Sequence, residues 1–72
     1  MQKTVKLTQE MITLGDLLKL AGVADSGGQA KLMVQEGMVS VNGEVCRQRG
    51  RKLRKGDVVD VALEPGVRVK VG

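Results

Sequence analysis

A β-hairpin is predicted at residues 39–46, which read Val39-Ser40-Val41-Asn42-Gly43-Glu44-Val45-Cys46. The Asn-Gly pair accepts the positive φ angles of a type I′ turn, which joins two antiparallel strands through two residues. The register of such a hairpin pairs Val41 with Glu44, Ser40 with Val45, and Val39 with Cys46. Cys46 therefore shares a face with Val39 and Val41, and we expect a buried small hydrophobic side chain rather than a reactive thiol.

Leucine and valine divide the chain on either side of this hairpin. Six of the eight Leu residues lie at or before Leu32, whereas ten of the twelve Val residues lie at or after Val34. Leucine favours helices and valine favours strands, so this distribution predicts helices first and strands afterwards.

Helix boundaries follow from capping residues and glycines. A first helix is predicted to begin at the cap Thr13 and to end at Gly22. A second is predicted to begin at Ser26, where Gln29 completes a Ser-x-x-Gln capping box, and to end at Gly37. Apolar residues recur at helical spacing in both segments, so each helix is expected to bury one face.

Valine-rich segments follow the hairpin, at residues 58–63 and 67–71, and the second alternates strictly between Val and a basic residue. Together these patterns predict an α+β fold, in which two N-terminal helices pack on a small, mostly antiparallel sheet. Residues 1–10 and 66–72 are expected to add edge strands.

Size and composition fit one small domain spanning residues 1–72, because 42% of the residues are apolar and 28% are charged. The chain has no His, Phe, Trp or Tyr and a single Cys. Ser-His and Cys-His nucleophilic sites, His-containing metal sites and paired-Cys sites therefore cannot be built within it. We expect no enzyme activity, no metal or cofactor, and no small-molecule substrate.

Membrane and secretion signals are not evident. No stretch approaches the roughly 20 apolar residues of a membrane span, and the first residues lack the apolar run of a secretion signal. We expect a cytoplasmic protein that does not bind membranes.

Positive charge is concentrated in one part of the chain, residues 47–55, which we call the basic segment. It contains no acidic residue and six cations: Arg47, Arg49, Arg51, Lys52, Arg54 and Lys55. Because the whole chain carries a net charge of +4, the remaining residues sum to −2. Clustered cations on a slightly acidic body are typical of surfaces that bind polyanions, although a solvated loop would also be charged.

The order of these signals resembles a known family. The matching residues are Leu18-x3-Gly22-x3-Ser26-x3-Ala30-x3-Val34-x2-Gly37-x-Val39-x-Val41-Asn42-Gly43, followed by Gly56-Asp57-Val58-Val59. This pattern, over about residues 13–63, resembles the αL RNA-binding motif, the small domain named after the fourth protein of the small ribosomal subunit. Residues 11–15, 26–28 and 49–53 look like the short stand-alone bacterial members, of the YaaA type.

The resemblance implies binding of structured RNA, with no chemistry of the domain's own. Members of the family occur in ribosomal proteins, in pseudouridine synthases and in a tyrosyl-tRNA synthetase. The resemblance implies that ribosomal RNA or a ribosome-assembly intermediate is the partner, with ribosomal proteins as further partners, and we expect a monomer. Thr13 and Gly27 stand where the family usually has Arg, whereas Lys31 matches a position that is often basic.

Eight residues are the candidate RNA ligands: Gln29, Lys31, Arg47, Arg49, Arg51, Lys52, Arg54 and Lys55. Readers of single-stranded RNA stack bases on aromatic side chains, which this chain lacks, so we expect phosphate contacts and recognition of RNA shape. The backbone amides of residues 26–28 either bind one further phosphate or serve only as a helix cap.

One alternative comes from a different class of function. The basic segment could bind an acidic protein partner, which would make the chain an adaptor in a ribosome-associated complex. Charge alone does not separate this interpretation from RNA binding.

Overall fold

Nine elements make up the fold in a computed structural model that describes residues 1–72. In chain order they are β1 Gln2–Val5, β2 Ile12–Thr13, α1 Leu14–Leu20, α2 Gly27–Gln35, β3 Val39–Val41, β4 Glu44–Val45, β5 Lys52–Leu53, β6 Val58–Val61 and β7 Val67–Val71. Five strands form one sheet in the order β1-β7-β6-β3-β4, and β2 and β5 form a separate two-stranded sheet. Neither helix is long and apolar enough to cross a membrane.

The hairpin of β3 and β4 has the predicted register. Ser40 pairs with Val45, Val41 pairs with Glu44, and the Cys46 N–H donates to the Val39 carbonyl at 3.0 Å. Both turn residues have positive φ, 51° at Asn42 and 89° at Gly43. The prediction that Cys46 is buried is confirmed, since 7% of the residue is exposed.

Both helices start at the predicted caps. The Thr13 hydroxyl accepts from the Asp16 N–H at 3.3 Å, and the Ser26 hydroxyl accepts from the Gln29 N–H at 3.2 Å. The capping box differs in one detail, because the side-chain oxygen of Gln29 accepts from the Asp25 N–H at 2.7 Å rather than from the cap residue itself. Local sequence therefore determined where each helix begins.

The predicted fold class is wrong in two respects, the order of the elements and the number of sheets. Two strands precede the helices, so the chain is not helix-first. The strands form two sheets instead of one, and the main sheet is mixed: β1 lies parallel to β7, with Val5 beside Val71, whereas its other three pairings are antiparallel. The four residues of β1 include a single strongly apolar one, so periodicity gave little signal. The partner strand lies more than 60 residues away, and local pattern carries no information about such a pairing.

The C-terminal strand also lies elsewhere than expected. Residues 66–72 were predicted to form an edge, but β7 lies between β1 and β6 inside the sheet. The edges are β1 and β4. β7 pairs parallel with β1 on one side and antiparallel with β6 on the other. The alternation in β7 correctly separates its faces, with Val69 and Val71 buried and Arg68 and Lys70 exposed.

One hydrophobic core joins the helices to the sheets. Its fully enclosed residues are Leu14, Leu17 and Leu18 of α1, Ala30 and Val34 of α2, Leu53 of β5, and Val39, Val59, Val69 and Val71 of the main sheet. The alternating valines of β3, β6 and β7 point to this core, and the residues between them face solvent. Fully burying one Leu or Val contributes about 1.5–3 kcal/mol, so these residues are the main source of stability.

A lysine connects β1 to the end of α1. The Lys3 ammonium donates to the carbonyl oxygen of Ala21 at 2.7 Å, and Ala21 is the C-terminal cap of α1. A cation is favourable there because the last carbonyls of a helix carry partial negative charge and lack partners within the helix. Lys3 therefore links the N-terminal strand to the helix with a charged hydrogen bond.

Replacing Lys3 with methionine tests this link. Lys3→Met keeps most of the aliphatic stem but removes the donor, so we expect the free energy of unfolding to fall by about 1 kcal/mol in urea denaturation. Lys6→Met is the matched control, because Lys6 is exposed and makes no hydrogen bond or ion pair. Equal stabilities of the two variants would contradict the proposed contribution of Lys3.

Candidate nucleic-acid interface

All six cations of the basic segment are exposed to solvent. The two ion pairs of the protein lie elsewhere, between Lys19 and Asp16 at 3.4 Å and between Arg68 and Asp60 at 2.8 Å. No carboxylate of the chain therefore lies within ion-pair distance of the charged side-chain groups of the basic segment. The charges concentrated there remain available to a polyanion from outside.

Backbone hydrogen bonds hold the middle of the basic segment against the start of α1. The N–H groups of Leu14 and Gly15 donate to the carbonyls of Arg51 and Arg49, each at 2.9 Å. These N–H groups belong to the first turn of the helix, where no partner exists within the helix. The backbone carbonyls of the basic segment thus accept hydrogen bonds from the first turn of α1, and the charged side chains of the segment make no part of this contact.

A short strand continues this attachment. β5 pairs antiparallel with β2, with Lys52 beside Thr13 and Leu53 beside Ile12. The Leu53 side chain is completely buried, whereas Lys52 and Arg54 on either side of it are exposed. Because successive strand residues point to opposite faces, burial of Leu53 turns its charged neighbours outward.

The far end of the basic segment is joined to the hairpin turn. The Asn42 amide donates to the Asp57 carboxylate at 3.1 Å, and its oxygen accepts from the Val58 N–H at 2.9 Å. The other oxygen of Asp57 accepts from the Arg54 N–H at 2.8 Å. These contacts give the Asn-Gly and Gly-Asp motifs a shared structural role, since together they fix the end of the segment.

The same contacts change the acidity of Asp57. The hydrogen bond from the Arg54 backbone, followed by that from the Asn42 amide, lowers the pKa of Asp57 below its ordinary value of 3.8. The nearby positive charges of Arg51 and Arg54 lower it further, and partial desolvation opposes them. Hydrogen bonds to the ionised form are the dominant cause.

Arg47 lies beside the C-terminal end of α2. Its guanidinium lies over Gly37, so closely that a Cβ built on this glycine would be 2.8 Å from the Arg47 Nη2 atom. Gly37 has a φ of 76° and directly follows Glu36, the C-terminal cap of α2. A cation at this end of a helix is stabilised by the helix dipole.

Arg49 lies near the other end of α2. Together with Gly50 it lines a cleft of about 240 Å³ that also includes Gly27 at the start of α2 and Thr13, Gly15, Asp16 and Lys19 of the α1 region. Lys31 is exposed and follows Gly27 by four residues, so it lies one turn further along the same side of α2. The cleft therefore places Arg49 near the side of α2 that carries Lys31.

Gln29 is not on that side. Residues two apart on an α-helix differ by about 200° around its axis, so Gln29 and Lys31 point in nearly opposite directions. The Gln29 oxygen is already occupied by the Asp25 N–H at 2.7 Å. The structure thus shows Gln29 in a capping role and does not bring it together with the basic segment.

Lys19 was not among the candidates from sequence, although it lines the cleft beside Arg49. The one sequence feature that draws attention to Lys19 is its i,i+3 spacing from Asp16, with which it forms an exposed ion pair. That spacing predicts an ion pair on the helix surface and carries no information about Arg49, which lies 30 residues further along the chain. No group of three or more His, Cys, Asp or Glu side chains is placed to hold a metal ion.

Comparisons with known proteins agree on one family. The sequence profile of the S4 domain matches residues 5–71. Over 61 residues the chain is 51% identical to the "Probable ribosome maturation protein RlbA" of Bacillus subtilis (strain 168), which covers 85% of this chain and 86% of that relative. Over 51 residues it is 43% identical to the "Putative RNA-binding protein YbcJ" of Escherichia coli (strain K12), which covers 71% and 73% respectively.

Acid titration tests the Asp57 contacts. Because the pKa of Asp57 is lower in the folded than in the unfolded chain, its ionised form stabilises the fold above the unfolded pKa, and this contribution is lost as pH falls through the folded pKa. We expect Asp57→Asn to lower the free energy of unfolding by about 1 kcal/mol at neutral pH. It should also flatten the decline in stability below about pH 4.

Asp25→Asn serves as the matched control, because the exposed Asp25 carboxylate accepts no hydrogen bond. Urea denaturation of both variants between about pH 2 and pH 7 measures the difference. If Asp57→Asn kept the full acid dependence of the parent protein, the assigned role of Asp57 would be wrong.

Proposed function

The chain belongs to the S4 domain family, and from that premise we propose that it is a non-catalytic protein that binds structured RNA through its basic segment. The observation that carries the proposal is the set of exposed cations without carboxylate partners, attached by their backbone to the first turn of α1. Phosphates are recognised by such clusters, since each contact releases condensed counterions from the nucleic acid.

We propose ribosomal RNA, or an intermediate of ribosome assembly, as the RNA that is bound in the cytoplasm. The proposal is supported by the names of the two relatives, one a probable ribosome maturation protein and the other a putative RNA-binding protein. Both alignments cover more than two thirds of this chain and of the relative.

The binding surface in this proposal consists of Lys31 and five cations of the basic segment: Arg49, Arg51, Lys52, Arg54 and Lys55. Arginine guanidinium groups can donate two parallel hydrogen bonds to phosphate oxygens, while lysines act as point charges. The backbone attachments of the segment reduce the entropy lost on binding, because the chain is already ordered. Arg47 and Gln29 are assigned supporting roles instead, at the two ends of α2.

Salt dependence gives a first test. If four to six phosphates are neutralised, the logarithm of the association constant should fall with the logarithm of salt concentration at a slope of roughly −3 to −5. Fluorescence anisotropy with a labelled RNA hairpin, over a range of potassium chloride concentrations, measures this slope. A slope near zero would contradict binding through phosphates.

Charge reversal tests the location of the proposed RNA-binding surface. The triple variant Arg49→Glu, Arg51→Glu, Lys52→Glu should lose binding to the same hairpin, because attraction becomes repulsion where the phosphates lie. All three side chains are exposed, so circular dichroism and urea denaturation should show a folded protein. Unchanged RNA affinity in the folded triple variant would contradict the proposed surface.

A matched pair of lysine variants distinguishes the effect of charge at the proposed surface from the effect of the net charge of the protein. Lys52→Glu and Lys70→Glu change the net charge equally, and both lysines are exposed strand residues, on β5 and β7. We expect Lys52→Glu to weaken RNA binding and reduce the salt slope by about one, and Lys70→Glu to leave the slope unchanged. Equal effects would show that only the net charge of the protein matters.

A further inference from the structure

An open cleft of about 490 Å³ lies beside α1, outside the basic segment. The connection between β1 and β2 forms one wall and the outer side of α1 forms the other. Its apolar lining consists of Leu7, Met11, Ile12 and Leu20. Leu20 is 69% exposed, so its side chain is accessible to a ligand in the cleft. Pockets that bind small organic groups have volumes of about 300–1,000 Å³ and mainly apolar walls.

This apolar cleft is continuous with the proposed RNA surface. It shares Asp16 and Lys19 with the cleft that contains Arg49. It also shares Met11 and Ile12 with a third depression, which contains Lys52 of the basic segment. A bound chain could therefore pass from the basic segment into the apolar cleft without leaving the surface.

Charges around the apolar cleft favour a nucleotide as the occupant. Lys6 and Lys19 lie in its lining, Lys19 being paired with Asp16 at 3.4 Å. Arg49 and Lys52 lie in the adjoining depressions, where Glu10 is the one further acidic residue. An RNA strand alternates an anionic phosphate with a flat, largely apolar base, so it matches cations placed around an apolar floor. The Asp16 carboxylate, whose side chain is 59% exposed, can accept a hydrogen bond from the exocyclic amino group of a base.

We propose that the apolar cleft binds one unstacked nucleobase of the RNA whose phosphates contact the basic segment. The inference depends on the proposed function. It also restricts the kind of RNA that is bound, because a continuous duplex offers no free base. The preferred RNA would have a bulge, loop or end next to a helical part. Such unpaired bases are the usual targets of specific RNA recognition.

Two RNA hairpins that differ by one nucleotide provide the probe. The first carries a single bulged 2-aminopurine, and the second is fully paired and otherwise identical. We expect the protein to bind the bulged hairpin at least about fivefold more tightly, a gain that burial of about 40 Å² of apolar base surface in the cleft would supply. The 2-aminopurine fluorescence should rise on binding, because the base leaves its stacked neighbours.

Matched leucine variants locate the base. Leu20→Ser should abolish the preference for the bulged hairpin and leave affinity for the paired hairpin unchanged. Leu32→Ser is the control, since Leu32 is a 57% exposed leucine on α2 that does not line the cleft. It should keep both the preference and the fluorescence change. Both sites are exposed, so both variants should fold, and urea denaturation verifies this.

Three results would overturn the inference and leave RNA binding itself intact. They are equal affinity of the parent protein for the two hairpins, an unchanged preference in Leu20→Ser, and loss of the preference in Leu32→Ser. Failure of the parent protein to bind either hairpin at low salt would instead contradict the proposed function. The two failures are therefore distinguishable in one set of titrations.

Discussion

Two backbone hydrogen bonds, from Leu14 and Gly15 to the carbonyls of Arg51 and Arg49, allow six like charges to be held in one part of a small domain. Two unit charges about 8 Å apart in water repel by about 0.5 kcal/mol, so repulsion within such a cluster destabilises its ordered conformation. Complete burial of Leu53 contributes about 1.5–3 kcal/mol, and the two hydrogen bonds add to it. Backbone and core contacts thus offset the repulsion without neutralising the charges.

Acidic residues are placed so that they leave these charges unpaired. Asp16 pairs with Lys19 on α1, and Asp60 pairs with Arg68 on the outer face of the main sheet. Asp57, the carboxylate nearest to the basic segment, accepts from a backbone N–H and an amide instead of a guanidinium. It therefore shapes the end of the segment, and the arginine side chains remain free.

Long-range pairing of the N-terminal strand completes the main sheet. β1 extends the sheet beyond β7, and Lys3 connects that strand to the last turn of α1. The connection that leaves β1 then passes α1 and forms one wall of the apolar cleft. The N-terminal residues that local pattern described least well are thus the ones that create a concave surface next to the basic segment.

The sequence by itself determined the local structure: the Asn42-Gly43 turn and its register, the caps at Thr13 and Ser26, the burial of Cys46, and the location of the positive charge. Each depends on interactions between residues a few positions apart. Only the tertiary structure decided that β1 lies parallel to β7, that Arg47 covers the end of α2, and that Gln29 faces away from Lys31 while Lys19 joins Arg49. These features depend on packing between distant segments, which hydrophobic periodicity does not encode.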